Sequence, residues 1–500
     1  MGLVQGTPTG SGERQRAFFI AALALVIISL SFAYQYQFWP NRLELLDQGK
    51  IVNYENVYRL IFVQSIVIWV WCLSVVLPFC IGETFTSRRI LVSVTTVMLY
   101  ISFILMYPTN AIDVYIYAAR SHLFTTHGEN PHAVTPNSFW ESDPYVQFAS
   151  PGWAGEVSPY GPLWNLLAWP ITRFDGDSIG VAVIGFKVLS TIAALIIGWL
   201  IYDTVRRERP RYALPAMLFW LWNPLVLWEG IGNGHNDVVM MLFVVAALWA
   251  YQGRHDSWVI PLLLPAILIK YVAIILLPLA IVALWKRNPS WTRRAEGVFW
   301  ALAAGVGLIG LSLFPFFDLT AVREGARAQE ALMSESLSWL VYETLPRWGV
   351  DAVSQDAVQN VTYSVAAIAV LVGCIVCWRA PKRLPRVVFE VTFVFLLVAS
   401  TNHRAWYVIW LVPLAAMLIP ETPWRRTIVW CITSLLVRAF TIWSWGAWDW
   451  PRWGWYGFGL VVVAMVFGPL LVTIAFDLWT ALRARRPVSH VPDRAIASPG

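Results

Sequence analysis

The chain has 500 residues, of which 58% are hydrophobic and 13% are charged, and its formal net charge is +6. Soluble domains carry about 25% charged residues, so this composition excludes a soluble globular protein and indicates a membrane protein with many spans. The arginines stand in short clusters between long apolar runs, which is typical of cytoplasmic membrane loops and argues against nucleic-acid binding.

The first apolar run follows a short polar N-terminus, residues 1–16, which we expect to be cytoplasmic. Residues 17–38 are too many for the apolar core of a cleaved signal peptide, so we interpret them as a retained membrane anchor. Further runs of spanning length follow at 57–82, 89–107, 178–203, 211–228, 236–252, 297–316, 361–378, 427–446 and 457–480. The sequence thus predicts an all-α polytopic membrane domain over residues 17–480 and a cytoplasmic tail at 481–500.

The longest segment without a span is residues 108–174, which the alternation of basic clusters places on the extracytoplasmic side. Its prolines, glycines and aromatic residues predict a loop with short interfacial helices. In the stretch "NAIDVYIYAARSHLFTTHGENPH", Asp113 comes a few residues after the span, and Tyr117 would share its helix face. Asp113 could take a proton from a hydroxyl group, or it could cap a helix or form a local salt bridge.

A second polar cluster occupies the predicted outer turn "WEGIGNGHNDV", which contains His235 and Asp237. A His-x-Asp pair in such a turn could bind a metal ion, orient a sugar, or cap the following apolar helix. The sequence leaves these three interpretations open.

Two later apolar runs, residues 258–285 and 387–420, have basic residues at both ends. Each must enter and leave on the cytoplasmic side, which predicts a helical hairpin with its tip at Lys270 or at His403 and Arg404. Half-length helices reach only about 21 Å, less than the roughly 30 Å hydrocarbon core, so the tips should lie in a protein-lined or watery recess. Counting each hairpin as two crossings gives roughly fourteen crossings. The second extracytoplasmic loop, residues 317–360, lies between the hairpins and has no sharp motif.

Three sequence blocks carry a family resemblance: Asp113-Val114-Tyr115-Ile116-Tyr117-Ala118, Gly128-Glu129-Asn130-Pro131-His132 and Ser158-Pro159-Tyr160-Gly161-Pro162-Leu163. In order and spacing, they resemble the polytopic glycosyltransferases of the GT-C superfamily that use lipid-phosphate sugars. The chain looks most like bacterial polyprenol-phosphate-mannose-dependent α-mannosyltransferases. It differs in having His132 where tyrosine is commoner, and in having more than one span before Asp113.

The resemblance implies an inverting sugar transfer, with mannose as the expected sugar, from a polyprenyl-phosphate donor to a lipid-linked glycan or glycolipid. Asp113 would be the general base, and the donor phosphate would be bound by Lys270, His403 and Arg404. The residues expected to bind substrate are Tyr117, Asn130, His132, Tyr160, His235 and Asp237. No metal and no cofactor is implied, and the site would face the outside of a bacterial plasma membrane, among membrane lipids.

Two other functions remain open at this stage. A secondary transporter would also have broken helices and charges at membrane depth, although no inverted repeat is evident in the sequence. A polymerase or ligase of lipid-linked glycans would also have long outer loops.

Overall fold

A computed structural model of the chain describes residues 11–35, 55–109, 111, 113–316, 318, 320–321, 323, 333–350, 353–447 and 454–484. Most of the predicted N-terminal segment and cytoplasmic tail lies outside these residues, as does the centre of the second predicted loop. The described part is helical, and Ser334 and Asn402 form an isolated β-bridge within it.

The first half of the fold consists of long apolar helices and the loop predicted at residues 108–174. We call this segment the first outer loop, and residues 317–360 the second outer loop, after the side on which the sequence predicts them. Its α-helices are α1 Ser11–Gln35, α2 Glu55–Phe79, α3 Phe85–Leu105, α4 Asp113–His127, α5 Pro151–Ala154, α6 Pro162–Arg173, α7 Ile179–Glu208, α8 Ala213–Leu221 and α9 Asp237–Gln252. Short 3₁₀ turns lie at Pro136–Phe139, Val146–Phe148 and Pro210–Tyr212, and a π-helical turn lies at Val226–Gly232.

The second half contains the two broken segments and the last long helices. Its α-helices are α10 Val259–Ile269, α11 Leu277–Arg287, α12 Trp291–Leu313, α13 Leu337–Thr344, α14 Gln355–Arg379, α15 Leu384–Val394, α16 Leu411–Ala416, α17 Pro423–Ala447 and α18 Gly454–Ala484. Short 3₁₀ or π-helical turns connect them at Asp256–Trp258, Tyr271–Leu276, Phe314–Phe316, Pro346–Trp348, Pro381–Arg383, Phe395–Ala399 and Ala405–Trp410.

Seven helices in the described part of the chain are long and apolar enough to cross a membrane. They are α1, α2, α3, α7, α12, α14 and α18, and an eighth crossing results if the π-helical turn and α9 form one bent span. The protein is therefore an all-α polytopic membrane protein, as predicted from its composition. The count of fourteen crossings stays a prediction.

The predicted span at 211–228 is interrupted in the structure. Helix α8 ends at Leu221, its nine residues are all buried, and the π-helical turn begins at Val226. Pro224 lies at the break, where its ring disfavours a helical conformation in the residue before it, and the Asn223 side chain accepts a hydrogen bond from Leu225 N–H (3.0 Å). The chain is thereby directed into the buried turn that carries Glu229 and His235.

Both predicted hairpins turn back on themselves. Helix α10 ends before Lys270, which is in an extended conformation, and α11 returns the chain to the starting side. There the Asn288 amide donates to Asp256 (2.9 Å), which joins the two ends of the first hairpin. In the second hairpin, Arg386 at the start pairs with Glu421 at the end (3.1 Å). The charged ends that identified these segments in the sequence thus lie together.

The first outer loop contacts the first hairpin tip through its backbone. Gly161 N–H donates to the carbonyl of Ile269 (3.0 Å), and the Tyr271 hydroxyl donates to the carbonyl of Tyr160 (3.4 Å). A Cβ atom on Gly161 would lie only 2.0 Å from the carbonyl oxygen of Leu268, which real side chains never allow. A glycine is therefore required where the loop meets the hairpin.

We predict that Gly161→Ala separates the loop from the hairpin tip and destabilises the purified protein by about 1–3 kcal/mol, because the added methyl group overpacks the contact. Thermal unfolding in detergent measures this change. Gly307→Ala in α12 is the matched control, since nothing lies within 4 Å of its added methyl group. Equal unfolding temperatures for the two variants would contradict the requirement for glycine.

Candidate active site

Asp113 begins helix α4 and lines a cavity of about 240 Å³. Its carboxylate stands at a helix N-terminus, where the helix dipole favours a negative charge. The cavity is built from five separate parts of the chain: the first outer loop, the π-helical turn, the second outer loop, the tip of the second hairpin and α17. Its polar and aromatic lining residues are Asp113, Ser150, Trp153, Glu229, Glu335, His403, Arg404, Trp406, Ser434, Arg438 and Thr441.

Asp113 and Arg404 face this cavity without pairing to each other. Within the residues that the structure describes, neither side chain has an ion-pair or hydrogen-bond partner. Opposite charges that share a small cavity but remain apart leave space between them for a ligand with both a hydroxyl group and an anionic group. The two residues that the sequence predicted as base and phosphate ligand are thus brought into one cavity.

The second outer loop holds the tip that carries Arg404. Ser334 N–H donates to Thr401 O (3.1 Å), and His403 N–H donates to Ser334 O (3.0 Å). The Ser336 hydroxyl also donates to Thr401 O (2.7 Å). These hydrogen bonds satisfy backbone groups that would otherwise be unpaired at a break in the helix. They fix the position at which Arg404 enters the cavity.

His403 lines the same cavity, but its ring is buried. It lies nearly parallel to Trp430, with ring centroids 6.1 Å apart, and its Nε2 atom is 3.4 Å from the Ser434 hydroxyl. Packing therefore holds this imidazole in place more than charge does.

The π-helical turn places Glu229 at the back of the cavity. Asn233 donates to the Glu229 carboxylate (2.8 Å), and His235 Nε2 lies 3.5 Å from the same oxygen. The His235 ring stacks on Trp406, with centroids 4.2 Å apart. His235, which the sequence predicted as a substrate residue, therefore lies one layer behind Trp406, which lines the cavity. Single-turn π-helical insertions are frequent at functional sites.

Asp237 and Lys270 form a buried ion pair beside the cavity. The Lys270 ammonium is 2.7 Å from Asp237 Oδ1, and the Trp410 indole donates to the same oxygen. The ammonium also lies over the rings of Tyr407 and Trp410, 4.9 and 5.4 Å from their centroids. Asp237 is the first residue of α9, where its Oδ1 atom is taken by this ion pair, and Asn236 before it makes no side-chain capping bond. The capping role considered for Asp237 is therefore wrong.

Tyr407 lies between the ion pair and the cavity. The Lys270 ammonium lies over its ring, and the same ring packs edge to face against Trp406, which lines the Asp113 cavity, with centroids 6.0 Å apart. Lys270 and Tyr407 also line an adjoining cavity of about 340 Å³, together with Asn402 and Trp410. The two hairpin tips thus meet around one set of charges.

Tyr117 and Tyr160 are buried behind Asp113. Their rings pack edge to face with centroids 5.2 Å apart, and Tyr117 also packs against Trp164. The Tyr117 hydroxyl lies 3.5 Å from Asn236 Oδ1. Neither tyrosine lines the cavity with Asp113. These two tyrosines, which the sequence predicted as substrate residues, therefore pack behind Asp113 and support helix α4.

Asn130 and His132 also lie away from the cavity with Asp113. The Asn130 side chain accepts a bond from His132 N–H (3.0 Å), and the His132 ring bonds to Ser158 O (3.2 Å) and Asn165 (2.9 Å). Burial lowers the pKa of His132 to about 4, so the imidazole is neutral at neutral pH. With Nδ1 donating to the Ser158 carbonyl, Nε2 can accept from Asn165. His132 thus joins two of the three sequence blocks.

Several lining residues are not in the set predicted from the sequence. Arg438 was detectable as a charge within an apolar run, which is a recognised sign of a functional residue. Glu335, Trp153 and Trp406 gave no such signal, because their positions depend on how the loops fold back. The Arg120 guanidinium donates to Trp153 O (3.2 Å) and so positions that loop residue.

Comparison with known proteins identifies related chains. Residues 18–287 match a family model described as "Alpha-(1->6)-mannopyranosyltransferase, N-terminal domain". Alpha-(1->6)-mannopyranosyltransferase A of Corynebacterium glutamicum is 27% identical over 314 residues, which cover 58% of this chain and 62% of the relative. Alpha-(1->6)-mannopyranosyltransferase A of Mycobacterium tuberculosis is 27% identical over 342 residues, covering 65% of this chain and 64% of the relative. The chain therefore spans less than two thirds of the length of these relatives.

We predict that Lys270→Met destabilises the protein by about 3–5 kcal/mol, because it leaves Asp237 charged, buried and without its ion partner. Thermal unfolding in detergent measures the loss. The double variant Lys270→Met with Asp237→Asn should recover most of the stability, whereas Lys382→Met, at an exposed position, should have no effect. Wild-type stability in Lys270→Met would contradict the structural role of the pair.

Proposed function

Because this chain belongs to the alpha-(1->6)-mannopyranosyltransferase family, we propose that it transfers mannose from a polyprenyl-phosphate donor to a hydroxyl group of a lipid-linked glycan or glycolipid. The reaction takes place at the outer face of a bacterial plasma membrane, in the cavity lined by Asp113 and Arg404. The observation that carries the proposal is that these two opposite charges share one cavity without pairing.

Asp113 acts as the general base in an inverting displacement. The acceptor oxygen attacks the anomeric carbon while its proton passes to the Asp113 carboxylate. On the opposite face of the sugar, the bond between the anomeric carbon and the phosphate oxygen breaks, as in inverting glycoside hydrolysis. The electron pair of that bond leaves with the polyprenyl phosphate, so no strong general acid is required.

Arg404 stabilises the phosphate as its charge develops. A guanidinium group can hold a phosphate by two parallel hydrogen bonds, and a preorganised cation away from bulk water acts strongly. The absence of a carboxylate partner for Arg404 among the described residues supports this role. Lys270 contributes positive potential from the adjoining cavity while its bond to Asp237 holds it in place.

The remaining predicted residues have supporting roles in this proposal. His403, His235 and Asp237 shape the wall around the donor phosphate, and His235 backs the Trp406 ring. The Trp406 ring lines the cavity and there stacks against a sugar. Tyr117, Asn130, His132 and Tyr160 hold the outer loop over the cavity through the contacts described above.

The clusters of arginine at the ends of both hairpins support the outward orientation of the tips. A separate cavity of about 1150 Å³ lies at the opposite ends of these segments, and its lining includes Arg209, Arg287, Arg383 and Arg386. Because basic residues concentrate on the cytoplasmic side, the Asp113 cavity belongs to the outer side.

We predict that Asp113→Asn lowers mannose transfer at least about 100-fold, because the amide cannot accept the hydroxyl proton. Membranes supplied with radiolabelled polyprenyl-phosphate mannose and a panel of lipid-linked acceptors measure the transfer. Protein amount and unfolding temperature should stay normal, because no described residue bonds to the Asp113 side chain.

Glu141→Gln is the matched control for this variant, since Glu141 is an exposed carboxylate of the same loop. It should transfer mannose at the wild-type rate. Full transfer by Asp113→Asn would exclude Asp113 as the base. Loss of solute uptake without any change in glycans would favour a transporter instead.

A further inference from the structure

Three side chains of the types that bind metal ions converge at the C-terminal end of α4, apart from the Asp113 cavity. His122 Nδ1 lies 2.7 Å from Asp143 Oδ2, and His127 Nε2 lies 3.1 Å from the same oxygen. The three atoms lie within 4.8 Å of one another. Two histidines on one helix end and an aspartate from the following loop are thus aimed at a common point.

The donor set suits a divalent transition-metal ion. Two imidazole nitrogens and one carboxylate oxygen are common ligands of Zn²⁺ and its neighbours, and three protein ligands leave a position for water. The His127 side chain is 19% exposed, whereas Asp143 is fully buried, so an ion can enter from the His127 side.

The groups around these ligands hold them in a fixed orientation. The second nitrogen of His122 lies 2.8 Å from the Thr126 hydroxyl, and the second oxygen of Asp143 accepts from Tyr145 N–H (2.9 Å). The His122 ring also stacks on Tyr145, with centroids 4.0 Å apart. Metal-binding histidines generally have such a partner on their other nitrogen, because it fixes the tautomer and the ring position.

We propose that His122, His127 and Asp143 bind one divalent transition-metal ion that fastens the first outer loop to α4. The ion closes the loop formed by residues 128–142, between helix end and aspartate. The same loop continues to Ser150 and Trp153, which line the Asp113 cavity. The ion therefore stabilises the wall of the cavity without touching the reacting groups, and the proposed transfer needs no metal in its chemistry.

The test uses the full-length protein purified through a tag without histidine, treated with EDTA and dialysed. Zn²⁺ is then added, and bound zinc and the unfolding temperature are measured for wild type, His127→Gln and the control His255→Gln, in which an exposed histidine outside the cluster is replaced. We expect about one zinc ion per chain, and a higher unfolding temperature with zinc, in wild type and control. His127→Gln should lose both effects.

Two outcomes overturn the proposal. Wild type that binds none of the added zinc shows that the three residues form a hydrogen-bonded cluster only. Equal zinc binding in wild type and His127→Gln shows that zinc binds elsewhere on the chain. Bound zinc in the wild type is measured without any variant, so a failure of His127→Gln to fold does not leave the question undecided.

Discussion

A charge within a membrane protein must find a partner or reach water, and this constraint determines how the two hairpin tips are built. Lys270 meets it by pairing with Asp237 and lying over two aromatic rings. The same constraint applies to the polar backbone groups at the break before Arg404, which form hydrogen bonds with the second outer loop. Once these groups are satisfied, Asp113 and Arg404 are left in a cavity without partners among the described residues, and that arrangement gives the cavity its chemical character.

The hairpins were predictable because their signal is a simple one of charge and length. Basic residues at both ends of an apolar run leave no other arrangement than a return to the same side. The tips at Lys270 and Arg404 followed because they were the strongly polar points in those runs. The interruption at Pro224 was harder to predict, since residues 211–228 are apolar enough to be taken for one continuous span.

The individual site residues were only partly predictable. Asp113 and Arg404 fall in one cavity as predicted, but Tyr117 and His132, close to Asp113 in sequence, serve as packing and hydrogen-bonding groups behind it. Glu335 could not have been found, because it enters the cavity through a β-bridge between its loop and the second hairpin. Spacing along a helix indicates which residues share a face, but it does not show which face the cavity occupies.

In the proposed reaction Arg404 binds the donor while Asp113 acts on the acceptor, so substitutions of the two residues should have different effects on donor affinity. The affinity of purified protein for polyprenyl-phosphate mannose is measured for Arg404→Gln and Asp113→Asn. We expect a Kd raised at least about tenfold in Arg404→Gln, because a bidentate charged contact is lost. The Kd of Asp113→Asn should be nearly unchanged, because this variant binds the donor but does not transfer the sugar. Wild-type donor affinity in Arg404→Gln would exclude Arg404 as the phosphate-binding residue.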